Sequence, residues 1–184
     1  LVKQMNTPLG RGLIIFGFVA FAALMANFLV PSIPTPEYDL SQVDRKPLEV
    51  RAWLRRIIVQ DLTLKSADFD QKLQAAERYF TPEGYRGFIA LLQQTRSIDY
   101  LRQSNVTVAI DPEEIPEVTT EGPVGGTYIW ILEGDSNLTI SFETNELSYP
   151  VRLQYIIART EDENAFLGLK VQSMTIVNRN TQTN

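Results

Sequence analysis

The stretch Ser97-Ile98-Asp99-Tyr100-Leu101-Arg102-Gln103-Ser104-Asn105-Val106-Thr107-Val108-Ala109-Ile110 contains the point at which the chain changes its hydrophobic period. Beyond Gln103 the apolar residues Val106, Val108 and Ile110 alternate with Thr107 and Ala109, a period of two that points to a strand. Before it the spacing is helical. From Leu48 to Leu62 the residues Val50, Trp53, Leu54, Ile57, Ile58 and Leu62 fall on one face, with Pro47 suited to a first turn. A second helix is expected from Asp68 as N-cap, with Phe69, Leu73, Ala76 and Phe80 inward. Thr81-Pro82-Glu83 has the order N-cap, first-turn proline and acid near the helix dipole, and starts a third helix that buries Tyr85, Phe88, Ile89 and Leu92. Ser97 is placed as the cap of a short fourth helix ending at Arg102.

Downstream, strands are expected at Val106–Ile110, Thr127–Glu133, Leu138–Thr144, Tyr149–Arg159 and Leu167–Val177. Gly134-Asp135-Ser136-Asn137, Thr144-Asn145-Glu146 and Glu161-Asp162-Glu163-Asn164 have turn compositions, and residues 111–126 read as a long acidic loop. Short connections favour antiparallel pairing. Helices followed by strands define an α+β domain with its helices on one face of the sheet.

Ahead of this domain, residues 12–30 carry no charge and include eleven Leu, Ile, Phe or Val side chains. At 1.5 Å per residue, about 19 residues cover roughly 28 Å, close to the hydrocarbon thickness of a bilayer. Those eleven side chains favour insertion by about 3 to 7 kcal/mol together, against one amide at Asn27. A cleaved secretory signal is the rival reading, with Ala20-Phe21-Ala22 as a cleavage-like site, but the apolar run continues well past it. Lys3 and Arg11 precede the span and Glu37 and Asp39 follow it, so residues 1–11 are expected in the cytoplasm and the bulk of the chain outside it. The chain opens on Leu1, and a further cytoplasmic segment is expected upstream. Gly17, Ala22, Ala26 and Asn27 are the residues with which one span could pack on another. Pro31-Ser32-Ile33-Pro34-Thr35-Pro36 then reads as a semi-rigid stalk over residues 31–46, leaving 47–178 as the domain and 179–184 as a tail.

With no Cys and no His among 184 residues, thiolate nucleophiles, disulfides, Cys/His zinc sites and Ser-His or Cys-His arrangements are excluded. The net charge of −5 argues against a dedicated nucleic-acid binder. Asp68 with Asp70, Glu113 with Glu114, and Glu161-Asp162-Glu163 are the local carboxylate clusters, and none has the spacing of an acid/base pair across a scissile bond. Gly122, Gly125 and Gly126 precede a strand and lack the Lys-Ser/Thr of a phosphate loop. No cofactor or metal is expected. The aromatic residues, Trp53, Phe88 and Trp130 among them, read as core. Charge is divided unequally: residues 45–102 have eleven Lys plus Arg against seven Asp plus Glu, and residues 103–184 have four against twelve. This polarity makes Arg51, Arg55 and Arg56 candidates for an interface between like subunits, basic helical side against acidic sheet side.

The segment Ala75-Ala76-Glu77-Arg78-Tyr79-Phe80-Thr81-Pro82-Glu83-Gly84-Tyr85-Arg86-Gly87-Phe88 resembles the DotI/IcmL family of type IVB secretion systems and its conjugative relative TraM. These carry a Tyr-Phe-Thr-Pro-acidic-Gly-aromatic segment between two helices, after a single N-terminal span; Tyr79, Phe80, Thr81, Pro82, Glu83, Gly84 and Tyr85 occupy it here. The likeness runs on through Trp53, Leu91-Leu92-Gln93, the Gly126–Trp130 strand and the Val151–Arg159 strand. It implies a periplasmic domain of the nuclear-transport-factor-2-like (cystatin-like) kind, helices cradled by a bent antiparallel sheet, on a single-pass protein of the bacterial inner membrane. It further implies a non-enzymatic scaffold that forms homo-oligomers, contacts other secretion subunits and helps build a channel for protein or DNA substrates. The Pro31–Pro36 stalk and the acidic Asp111–Gly122 loop depart from the family pattern, so partner contacts there are not carried over. A membrane-tethered ligand-binding or enzymatic member of the same fold, using a cavity under the sheet, is the alternative.

Overall fold

A computed structural model describes residues 39–103 and 105–177. The expected span with Gly17, Ala22, Ala26 and Asn27, the first half of the stalk and the tail at 179–184 lie outside them. Among the described residues no helix is long and apolar enough to cross a membrane.

The first helix, α1 (Pro47–Arg56), has proline in its first turn, and the Glu49 carboxylate accepts from the Lys46 N–H at 3.1 Å. It continues as a wider π-helical turn, Ile57–Asp61, closed by Leu62 N–H donating to the Ile57 carbonyl at 3.0 Å. All six residues of its apolar face, Val50 to Leu62, are 3% exposed or less. A two-residue strand β1 (Leu64–Lys65) leads to α2 (Phe69–Ala76), α3 (Pro82–Gln94) and the short α4 (Ser97–Leu101).

Some boundaries differ from those expected. Asp68 stands at the N-cap of α2, but its side chain accepts no capping hydrogen bond, and one of its carboxylate oxygens is buried without a partner. Phe80 leaves the helix and lies extended. Leu91 is buried where Ile89 is half-buried. Ser97 is the first residue of α4 and no cap; Arg96 precedes it at φ 57°, and the Ser97 hydroxyl lies 2.8 Å from that of Thr95.

The strands are β2 (Thr107–Pro112), β3 (Glu117–Val124), β4 (Thr127–Ser141), β5 (Glu146–Arg159) and β6 (Leu169–Val177), all antiparallel. The order is β1-β2-β4-β5-β6, with β3 also on β4. Two expectations are corrected here. Gly134-Asp135-Ser136-Asn137 is no turn: each of the four pairs with β5, at Leu153, Arg152, Val151 and Pro150, inside one 15-residue strand. The 111–126 loop contains a strand, β3, joined to β4 by Gly125-Gly126.

These two corrections have one cause. With β5 along one edge of β4, the other edge is shared by β2, over residues 136–141, and β3, over 127–133. The chain crosses from one to the other at residues 113–116, directly over Gly134. A Cβ on Gly134 would sit 3.2 Å from Pro116 Cα, so the bare backbone leaves room for the crossing. Extra residues at Thr119 on β3 and Gln172 on β6 are bulges that increase the curvature. The sheet thus bends around the helices, and Trp130, Tyr155, Phe88, Leu132 and Ile140 fill the space between.

Residues 39–46, expected as the end of the stalk, are tied to this sheet. Arg159, on β5, donates to the carbonyls of Asp39 (2.7 Å) and Gln42 (2.6 Å) and pairs with Asp44 at 3.1 Å, while Tyr128 N–H donates to the Leu40 carbonyl at 2.7 Å.

Candidate interface and the signature segment

Thr81 ends an extended stretch and caps α3: its hydroxyl accepts from the Gly84 N–H at 3.1 Å, and Pro82 fills the position where no donor is needed. Phe80 forms a parallel bridge to Val171 of β6, and Thr81 N–H donates to the Val171 carbonyl at 3.0 Å. The first turn of α3 therefore lies on β6 backbone to backbone. Gly84 is what permits it, since a Cβ there would stand 2.1 Å from the Val171 oxygen. Phe80 stacks on Phe88 at 5.2 Å, and the Tyr85 hydroxyl donates to the Leu73 carbonyl of α2 at 3.1 Å. Burial raises the Tyr85 phenol above the usual tyrosine range, with Glu77 adding to it. The Glu83 carboxylate is held below its usual range by the α3 backbone N–H, and next by Arg86. Phe80, Thr81, Gly84 and Tyr85 thus join α2, α3 and β6, while Pro82 and Glu83 are exposed in the first turn of α3. Tyr79 is half-buried against the core, with the Arg78 guanidinium 4.7 Å over its ring and donating to its hydroxyl at 2.5 Å.

The three candidate arginines of α1 have different situations. Arg51 is half-buried; its Nε donates to the Pro116 carbonyl at 2.9 Å and its terminal nitrogen to the Ile115 carbonyl at 3.2 Å, so it anchors the crossing loop within its own chain. Arg55 is exposed, and Arg56, also exposed, lies 5.2 Å over the Phe166 ring. Four of the seven exposed large apolar residues described border this helix: Leu48 (68% exposed) and Val59 (44%) on its outer face, Ile115 (39%) on the Arg51 flank and Phe166 (56%) on the Arg56 flank. Ile115 and Phe166 were not visible as interface residues from the pattern. Their signal is a single large apolar residue inside an otherwise acidic turn, Glu113-Glu114-Ile115-Pro116-Glu117 and Glu163-Asn164-Ala165-Phe166.

Several of the acidic side chains are paired within the chain. Asp162 pairs with Lys170 at 2.5 Å and accepts from the Asn164 N–H; both hold its carboxyl below the usual range, Lys170 the more. Glu133 and Asp135 both face Arg152 at 3.4 Å, in a cleft of about 370 Å³ that also contains Glu113, Glu114 and Glu117. Among the described residues, no group of three or more acidic side chains is placed to hold a metal ion.

Comparison with known proteins places this architecture. The fold is similar to the periplasmic domain of DotI, with a TM-score of 0.65 at 19% identity over 74% of this chain and 98% of that one. A periplasmic fragment of TraM gives 0.66 at 12% identity over 72% and 98%. An IcmL-like type IV secretion system protein of Legionella pneumophila subsp. pneumophila str. Philadelphia 1 gives 0.62 at 15% over 76% and 99%. At these identities the likeness is one of fold. No curated protein matches the sequence. The family described as type-IV b secretion system, inner-membrane complex component, however, matches residues 34–178, well over half of the chain. By that match the chain belongs to the DotI/IcmL family of type IVB secretion-system components.

Proposed function

We propose that this chain is a non-enzymatic scaffold subunit of a type IVB secretion or conjugation apparatus, which oligomerises and helps build the translocation channel for protein or DNA substrates. Residues 12–30 anchor it in the inner membrane with 1–11 in the cytoplasm, 31–46 lead away from the bilayer, and the domain at 47–178 stands in the periplasm, followed by a short tail. Gly17, Ala22, Ala26 and Asn27 are the positions at which neighbouring spans pack. Besides copies of itself and the lipid bilayer, its partners are other inner-membrane and periplasmic subunits of the apparatus, with no direct contact to nucleic acid.

The observation that carries this reading is the outer face of α1, where exposed apolar side chains and the guanidiniums of Arg55 and Arg56 lie together on a domain whose other half is acidic. Exposed apolar residues gathered on one face mark a contact surface. The ligand-cavity alternative needs room under the sheet, and Trp130, Tyr155 and Phe88 occupy that space at 1% exposure or less. Two measurements test the proposal. A reporter active only in the cytoplasm, fused after Asn184, should stay dark. Crosslinking in membranes should give a ladder of oligomers that Arg55→Glu with Arg56→Glu weakens in a salt-dependent way. A bright reporter, or a chain that crosslinks to nothing, refutes it.

A further inference from the structure

Between the last turn of α1 and the loop before β6 lies a groove of about 210 Å³, walled by Trp53, Arg56, Ile57, Arg78, Tyr79 and Phe166. Asp61 is the acid in its wall. Its two cations are held in place by aromatic rings, Arg56 over Phe166 at 5.2 Å and Arg78 over Tyr79 at 4.7 Å. The groove is therefore apolar at its base and cationic at its lip, and aromatic residues with arginine are the side chains that dominate protein interfaces. Trp53, at its base, is 3% exposed, and its indole N–H has no acceptor.

The chain also carries a shape of opposite character. Pro112-Glu113-Glu114-Ile115-Pro116-Glu117 projects Ile115 between three exposed carboxylates. The loop is stiff before any partner arrives. Prolines bracket it, Arg51 holds the carbonyls of Ile115 and Pro116, and Glu113 N–H donates to the Asp135 carbonyl at 3.0 Å. A preformed loop loses little conformational freedom on docking. Within one chain Arg51 keeps this loop on the flank of α1 opposite to Arg56, so its natural receptor is another molecule.

We propose that Ile115 of one copy of this chain enters the Trp53–Phe166 groove of a second copy, with carboxylates of Glu113, Glu114 and Glu117 against the guanidiniums of Arg56 and Arg78. The inference rests on the oligomer proposed above and assigns its contact. Because the loop and the groove flank the same helix, every copy carries both halves of the joint.

Absence of native cysteine makes the test direct. Full chains bearing Ile115→Cys and Phe166→Cys on different tags are co-expressed and oxidised in the membrane. The expected result is a disulfide between the two tags, with little product from either variant alone. Arg56→Glu with Arg78→Glu should lower that product roughly tenfold through like-charge opposition, and Glu114→Lys with Glu117→Lys in the partner should restore it. A chain that is monomeric throughout refutes the oligomer and the docking together. An oligomer of normal size in which the two cysteines do not join, or in which Ile115→Cys joins itself, refutes the docking alone. So does binding to anionic vesicles that the double arginine reversal abolishes while no cross-copy bond forms.

Discussion

Gly84→Ala should destabilise the domain far more than one methyl group ordinarily does. The added Cβ would stand 2.1 Å from the Val171 oxygen, 3.0 Å from its carbonyl carbon and 3.1 Å from that of Gln172, all backbone atoms of β6. Ordinary contact begins at 3.4 Å, so α3 must withdraw by about 1.3 Å. Such a shift breaks the 3.0 Å bond from Thr81 N–H to Val171, worth about 1 kcal/mol, and loosens the Phe80–Phe88 stack, worth about 1 kcal/mol more. Residual overpacking adds about 1 to 3 kcal/mol, and the better helix propensity of alanine returns about 1 kcal/mol. The net loss is about 2 to 4 kcal/mol, a fall in Tm of roughly 6 to 16 °C for a domain of this size. Gly87→Ala is the control one turn on, where the nearest atom to a Cβ is 3.9 Å away. It should be neutral or slightly stabilising. Fluorescence of the buried Trp53 and Trp130 follows unfolding of both variants in mild detergent. Equal melting of the two would refute the reading of this segment as a backbone joint.

Burial of Tyr155 pushes its phenol far above its ordinary 10.0, with the Ser136 hydroxyl drawing slightly the other way. The folded state then keeps a proton that the unfolded state releases, so stability is intact below about pH 10 and falls as pH rises beyond it; Tyr155→Phe should reduce that slope in urea titrations between about pH 8 and 11. Asp162 acts in the opposite direction. Its lowered value means that stability is present above 3.8 and is lost as pH falls through the folded value, so Asp162→Asn should destabilise at neutral pH and match the parent chain near about pH 2. Arg159, its side chain 8% exposed, holds residues 39–44; Arg159→Ala should cost about 2 to 4 kcal/mol and speed hydrogen exchange at Gln42 and Tyr128 above all.

Helices were legible because each buries a continuous face, so the 3.6 period of Val50, Trp53, Leu54, Ile57 and Ile58 survives without knowledge of the partner. β4 was misread because turn composition is a local property while strand continuity is set by parity. Trp130, Leu132, Ser136, Leu138 and Ile140 are all even-numbered and all buried, which a true reversal at residues 134–137 would not preserve. A polar Ser136 at a buried position and a glycine at 134 hid that parity. β3 was missed for a different reason: an edge strand with both faces near solvent carries little alternation, and Glu117, Glu121 and Pro123 are what an unpaired edge tolerates. The arginines were found by charge alone. That could not separate Arg51, turned to the crossing loop of its own chain, from Arg55 and Arg56, because the loop it binds is adjacent only in three dimensions.

The proposed docking is weak by its own arithmetic, and this has a testable consequence. Ile115 and Phe166 are already partly covered, so completing their burial contributes about 1 to 2 kcal/mol each. Exposed ion pairs at Arg56 and Arg78 add about 0.2 to 1 kcal/mol apiece. These gains, about 2 to 6 kcal/mol in all, are largely or wholly offset by the roughly 4 kcal/mol or more lost when two free molecules associate, which places a single joint at about millimolar or weaker. Anchoring by the 12–30 span would confine copies to one plane and orientation, raising their effective concentration to the range in which such a joint fills. The full chain in bilayers should therefore form the Ile115–Phe166 crosslink, while residues 39–184 alone, at micromolar concentration, should run as a monomer in analytical ultracentrifugation. A stable oligomer of the isolated domain would mean that a larger surface than this groove holds the copies together.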